Sequence, residues 1–371
     1  MTASPNRSYL PEVDQLRGIA ALLVFFYHGF QLFGARLAHG AVFDPSKHWV
    51  ISRNPIIATI EEGHSGVGLF IVLSGFILSI GTVGRPMSYG KFLLARILRI
   101  YPLLLVFAIV AFAVAPTDLS NMIATIQPFG ASNAQRGNLV AMFWAVAVEF
   151  QCYLIFPFLI LFSDRFGTRF LVQIIASAIA LRCLAVFSEG AIARDISYWT
   201  VVGRIDQFCL GMIAARLYLL HGWRERVGRL VFLPVAIAVL LILWVFNRAG
   251  GWPLASHWKL LWPTVEGGFW AVFVLCYLRI GPSLPALLSR PLTQLGVVSY
   301  SLYLVHFTVI NLCIANGLYL RMTGTGYYDA LLTTAFVAVP IALGISLLLY
   351  DTIEKPFMQL RPRYVEVANG A

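Results

Sequence analysis

"LRGIAALLVFFYHG", residues 16–29, sets a permanent cation, Arg17, and a titratable imidazole, His28, at the two ends of an otherwise apolar run. Their spacing of eleven residues carries a helix through three full turns plus about 20°, so both side chains share one face, roughly 16 Å apart along the axis. Ionisable groups inside a run of this apolarity are costly in hydrocarbon and point to function. The face therefore carries a charge at one membrane boundary and a proton carrier deep inside.

Composition supports the membrane setting. Hydrophobic residues make up 59% and charged residues only 12% of the 371 residues, with a mean hydropathy of +0.79, far from a soluble globular domain. The reading is an all-α polytopic membrane protein with ten spans, near 16–36, 64–82, 100–116, 139–163, 170–189, 198–220, 231–247, 258–279, 295–318 and 328–351. Connections are short, so a single integral-membrane domain is expected over 1–371 (core 10–358), with no appended soluble domain. Glu12 and Asp14 precede the first run, which does not read as a cleaved leader.

The net charge of +10 reads as a topology signal, not as a nucleic-acid surface. With the N-terminus in the cytoplasm, sixteen Lys and Arg fall in inner segments and eight in outer ones, which puts both termini in the cytoplasm and the 37–62 loop outside. Cys152, Cys183, Cys209, Cys276 and Cys313 are scattered singly in apolar runs and read as core residues, neither disulfides nor metal ligands. No metal site is expected.

Three proton-active side chains fall near mid-depth: His28 in the first span, Glu149 in the fourth and His306 in the ninth, each roughly 15–18 Å from a span edge. Depth alone does not say that they touch, and for His306 a packing hydrogen bond is an equal reading. Arg182, Arg204, Asp206 and Glu266 are also intramembrane and suit buried ion pairs that fix helix packing. Arg204 and Asp206 are two apart and do not share a face, so each needs a partner on another helix. In "KFLLARILRIYP", Arg96 and Arg99 lie three apart on one face and can fork onto phosphate oxygens. Snorkelling to anionic lipid headgroups is the plainer alternative.

Three arginines at an inner mouth and a histidine three turns deeper suit a ligand with phosphates at one end and a reactive group at the other. Acyl-coenzyme A, most simply acetyl-coenzyme A, has that shape. His28 is then the base for an acceptor hydroxyl or carries the acyl group itself, and Glu149 orients an imidazole or positions the acceptor. A proton-coupled secondary transporter is the rival reading of the same intramembrane His and Glu.

Seven stretches carry a resemblance: "DQLRGIAALLVFFYHG", "GVGLFIVLSGFILS", "FLLARILRIYP", "FWAVAVEFQCYLIFP", "GRIDQFCLGMIAA", "SYSLYLVHF" and "YDTIEKPF". In order and spacing the chain resembles the acyltransferase-3 family of integral-membrane O-acyltransferases. The resemblance implies ten core helices in a bacterial cytoplasmic (inner) membrane. It also implies an acyl-coenzyme A donor and a hydroxyl acceptor on an envelope or secreted saccharide or glycolipid. It assigns importance to Arg17 and His28, to Arg96 and Arg99, and to Ser74 and Gly75 of "LSGF", the last four on the donor side. The chain departs from the family pattern at Gly68, where members often carry an acidic residue, and at Phe150, where a second Glu often follows the one at 149.

Overall fold

The computed structural model describes residues 9–114, 142–220 and 228–365. Eleven helices carry the architecture: α1 Pro11–His39, α2 Ser65–Thr82, α3 Tyr89–Val114, α4 Phe143–Phe166, α5 Thr168–Glu189, α6 Val201–Leu220, α7 Phe232–Arg248, α8 Trp262–Ile280, α9 Ala286–Val297, α10 Ser299–Ala315 and α11 Gly326–Gln359. No strand forms among the described residues; one antiparallel bridge joins Met87 and Val365.

Local chemistry explains the bounds of α1. Pro11 takes the first helical position, Glu12 and Asp14 sit in the first turn, and Gly40 closes the end at φ 65°, its N–H reaching Ala35 and Arg36 carbonyls. A proline has no N–H to waste there, acids favour the positive helix end, and only glycine accepts the left-handed cap without strain.

Among the described residues, eight helices are long and apolar enough to cross a membrane, and α9 with α10, bent by 78°, makes up to nine. Three of the ten expected spans need correction. The span expected at 295–318 breaks at Val298, and α9 turns away to lie along the start of α1. The third begins at Tyr89, not at 100, so Arg96 and Arg99 lie two to three turns inside α3. The last runs on to Gln359 through π-helical turns at Thr334–Ala338 and Tyr350–Glu354. The sixth, α6, falls outside the eight because Arg204, Asp206 and Arg216 are on it.

Each charge on α6 is matched inside the bundle: Arg182 to Asp206 at 2.8 Å, Arg204 to Glu266 at 3.1 Å, and Arg216 to Asp164. Glycine lets the neighbouring backbone come close enough for this. A Cβ on Gly75 would stand 2.1 Å from the Phe208 carbonyl oxygen, and one on Gly211 2.0 Å from that of Val72. The α2–α6 contact is thus backbone on backbone, the small-residue packing that membrane helices favour. Ile109, Phe158, Leu184, Phe187 and Leu348 are more than half exposed on the outer faces, as side chains in hydrocarbon should be.

α1 is the core of the site. It packs against α2, α9, α10 and α11. A Cβ on Gly29 would meet Thr334 Oγ1 at 2.1 Å, so the π turn of α11 closes directly behind His28.

Candidate active site

His28 and His306 meet across α1 and α10. Nδ1 of His28 lies 3.1 Å from His306 Nε2 and 3.1 Å from the Val24 carbonyl oxygen. His306 Nδ1 lies 2.6 Å from the Tyr303 carbonyl oxygen. These contacts decide the proton positions in the neutral pair. A carbonyl only accepts, so His306 Nδ1 carries the proton and its Nε2 offers a lone pair. His28 Nδ1, facing two acceptors, must donate. The lone pair of His28 is therefore on Nε2, the nitrogen free to take a proton from something else. His306 is buried at 1% exposure. Tyr27 and Phe307 stand against the His28 ring, with centroids 4.6 and 5.4 Å away.

A second group lies toward the start of α1. Arg17, Glu149, Ser299, Tyr300 and Tyr303 line a small cleft of about 40 Å³ whose apolar wall is Val67, Phe70, Ile71, Ala145 and Val146. Tyr303 links the two groups: its phenol lines the cleft, its ring stands 5.6 Å from that of His306, and its carbonyl receives the His306 proton. Glu149 accepts hydrogen bonds from Ser74 Oγ and, at 2.5 Å, from Tyr153 OH.

Arg17 lies within electrostatic reach of Arg99, Asp14 and Glu149, and both arginines act on the Glu354 carboxyl group. None of Arg17, Arg96 and Arg99 forms a salt bridge among the described residues. Arg96 is 8% exposed, its guanidinium within 5.7 Å of the ring centroids of Phe92, Tyr153 and Tyr364, and its Nε has no partner. Among the described residues the Arg96 guanidinium has aromatic rings, not a carboxylate, for neighbours.

Not every expected placement holds. Glu149 is with Ser74 and Tyr153; the position that orients the His28 imidazole belongs to His306. Ser74 reaches the site through Glu149, and Gly75 faces α6, where a Cβ would meet the Phe208 carbonyl oxygen. Arg182, Arg204, Asp206 and Glu266 pair as packing ions. Gly68 lies against that network, since a Cβ there would come within 3.0 Å of Glu266 Oε2. Phe150 packs edge-on to Tyr101, ring centroids 5.2 Å apart.

Two further participants went unread in the sequence. Tyr153 follows Glu149 by one turn, a spacing that puts both on one face and could have revealed it. Glu354, 4% exposed and bonded to Ser301 Oγ, lies in the π turn of "YDTIEKPF", where no regular period points.

Comparison with known proteins gives a family. Residues 10–351 match the acyltransferase-3 model, described as an acyltransferase domain. The chain is 25% identical over 320 residues to "Putative membrane-bound transacylase BcsY" of Komagataeibacter xylinus, covering 80% of this chain and 72% of that protein. It is 26% identical over 349 residues to the O-acetyltransferase OatA of Staphylococcus aureus (strain NCTC 8325 / PS 47), covering 81% of this chain and 51% of OatA. This chain thus corresponds to about half the length of OatA. No solved structure matches.

Proposed function

The chain belongs to the acyltransferase-3 family and is a multi-pass membrane acyltransferase, and from that premise we propose that it moves an acetyl group from cytoplasmic acetyl-coenzyme A to a saccharide hydroxyl at the far side of a bacterial inner membrane. The observation that carries the reading is the His28–His306 hydrogen bond, which leaves the His28 Nε2 lone pair free. That nitrogen takes the proton as the acceptor oxygen attacks the thioester carbonyl. It returns the proton to the departing sulfur as the carbon–sulfur bond breaks. His306 Nε2, accepting from His28 Nδ1, steadies the imidazolium that exists between the two events. The names of OatA, an O-acetyltransferase, and BcsY, a putative membrane-bound transacylase, support acyl transfer, to an oxygen in the case of OatA.

The donor fits the residues present. Among the described residues Arg17, Arg96 and Arg99 are cations without salt-bridge partners, and forked guanidinium contacts suit phosphate. The cleft lined by Arg17 and Tyr303 holds about 40 Å³ as its side chains stand, so a donor arm would enter it only as they part. Phosphates held at the mouth would therefore send the thioester toward His28.

The Arg96→Ala/Arg99→Ala protein should lose coenzyme A affinity while remaining folded. Each charged hydrogen-bonded contact is worth about 1.5–3 kcal/mol, so the pair should cost on the order of a hundredfold or more. Calorimetric titration of coenzyme A into wild type and variant checks this, and unchanged affinity would return both arginines to a topology role.

Sidedness has its own test. In cells, an impermeant thiol reagent should reach a cysteine placed near Lys47 and fail to reach one near Arg290. The reverse pattern would move the arginine mouth to the outside and remove the cytoplasmic donor.

A further inference from the structure

Five aromatic rings close a circuit beside the middle of α1, ten residues on from Arg17. Centroid distances run 6.2 Å from Tyr27 to Trp49, 6.2 Å from Trp49 to Trp252, 5.7 Å from Trp252 to Tyr198, 5.3 Å from Tyr198 to His64 and 5.4 Å from His64 back to Tyr27. The rings come from five separate stretches of chain. Tyr27 is next to His28, so the circuit abuts the candidate base.

The same patch holds polar atoms with nothing to bond. Glu61 is fully buried; its Oε1 accepts from Gln31 Nε2 at 3.3 Å and Val50 N at 3.1 Å, and its Oε2 has no partner. His64, 3% exposed, holds Glu62 through Nε2 at 2.9 Å, while its Nδ1 has none. The indole Nε1 of Trp252 is likewise buried and unpaired. An unmade hydrogen bond at a buried polar group costs about 1–3 kcal/mol, and three in one patch imply that something else completes them.

Resting on the acyl-transfer reading above, we propose that this patch is the acceptor subsite and that it takes a neutral saccharide ring. Aromatic faces cover the C–H face of a sugar, the Glu61 carboxyl and His64 Nδ1 bond its hydroxyls, and the Trp252 indole donates to a ring or hydroxyl oxygen. One more hydroxyl then faces His28. Burial, reinforced by the adjacent Glu62 charge, holds the Glu61 carboxyl well above the usual carboxylate range, and Glu62 is engaged by His64, Asn247 and Trp49. The patch thus offers little free negative charge. Three cations border it: the Arg194 guanidinium stands 4.7 Å from the Trp252 ring centroid, the Arg204 guanidinium 4.4 Å from that of Tyr198, and Lys259 Nζ is lodged on the Gly251 and Trp252 carbonyls. A cationic ligand is disfavoured by these neighbours.

The test uses the full chain in lipid nanodiscs, free of sugar detergents, with tryptophan fluorescence as the readout. Methyl glucoside, methyl N-acetylglucosaminide and cellobiose are the neutral probes, with choline and glucuronate as charged ones. At least one neutral probe should shift the emission, and Glu61→Gln or Trp252→Phe should raise the concentration required by about tenfold or more. Coenzyme A affinity, read on the same samples, should stay unchanged because, among the described residues, neither Glu61 nor Trp252 contacts Arg17, Arg96 or Arg99. Binding insensitive to both substitutions, preference for choline or glucuronate, or no binding by any neutral probe would each overturn the subsite. Since fluorescence needs no donor, sugar binding that survives alongside absent coenzyme A binding would sink the acyl-transfer reading and leave the saccharide site standing.

Discussion

His28→Ala lowers acetyl transfer per folded molecule by about 10²–10⁴-fold, the contribution typical of a general base, while coenzyme A affinity largely survives. The expectation follows from the proton positions. His28 Nδ1 is committed to Val24 and His306, so Nε2 is the one nitrogen of the pair with a free lone pair. Removing the ring removes that lone pair but leaves the arginines where they are. His306→Asn should behave differently, because it deprives His28 Nδ1 of one of two acceptors without removing the base. A hydrogen bond of this kind is worth about 0.5–1.5 kcal/mol, so a loss of roughly two- to tenfold is expected. The pH–rate profile should shift with it, since the imidazolium loses its acceptor; a merely structural His306 would lower protein yield and leave the profile in place. Single-turnover transfer and coenzyme A binding, measured on one preparation, decide the matter. Normal turnover in His28→Ala would make the opening motif architecture and move the chemistry to Glu149.

Asp206→Ala destabilises the protein by about 3–5 kcal/mol, the usual cost of leaving a buried charge without its partner. Arg182 and Asp206 both have side chains at 0% exposure and meet at 2.8 Å. Thr264 Oγ also donates to Asp206, and Arg182 spends its other nitrogen on the Val202 and Gly203 carbonyls. With the carboxylate gone, the guanidinium is left in hydrocarbon with only those carbonyls. The measurement is thermal unfolding of purified protein, together with the fraction that elutes as a single folded species. Replacing both partners, Arg182→Met with Asp206→Leu, should recover most of the loss, because an apolar pair costs no desolvation. If Asp206→Ala melts like wild type, the pair is not what holds α5 to α6. If the double variant is no better than the single one, the loss lies in packing volume instead of charge.

Much of this was written locally. Helical periodicity put Arg17 and His28 on one face, and the two-residue spacing of Arg204 and Asp206 required separate partners, which Glu266 and Arg182 supply. The fourth-span Glu149 and the mouth arginines were also legible as charges out of place in apolar runs. Errors arose where a property of neighbours, not of the run itself, decides the outcome. The 78° break at Val298 lies in a sequence apolar enough to read as one span. It is set by the approach of α9 to α1, where a Cβ on Gly296 would fall 1.7 Å from the Asp14 carbonyl oxygen. At Gly75 the sequence does not distinguish a glycine that makes room for a ligand from one that makes room for a helix, and the structure sets it against α6.

By itself, then, the sequence determined that the chain is a helical membrane protein, which faces carry charge, and at what depth. Those follow from composition and from a period of 3.6 residues, both local quantities. Only the tertiary structure decided who meets whom: His28 with His306 across 278 positions of sequence, Glu149 with Ser74 and Tyr153, and five aromatic rings from five stretches in one circuit. The physical reason is rotational. Depth fixes a residue along the membrane normal, but a helix can turn about its axis and face any of several neighbours, and that choice is made by close backbone packing at positions such as Gly75, Gly211 and Gly296, where no side chain stands in the way.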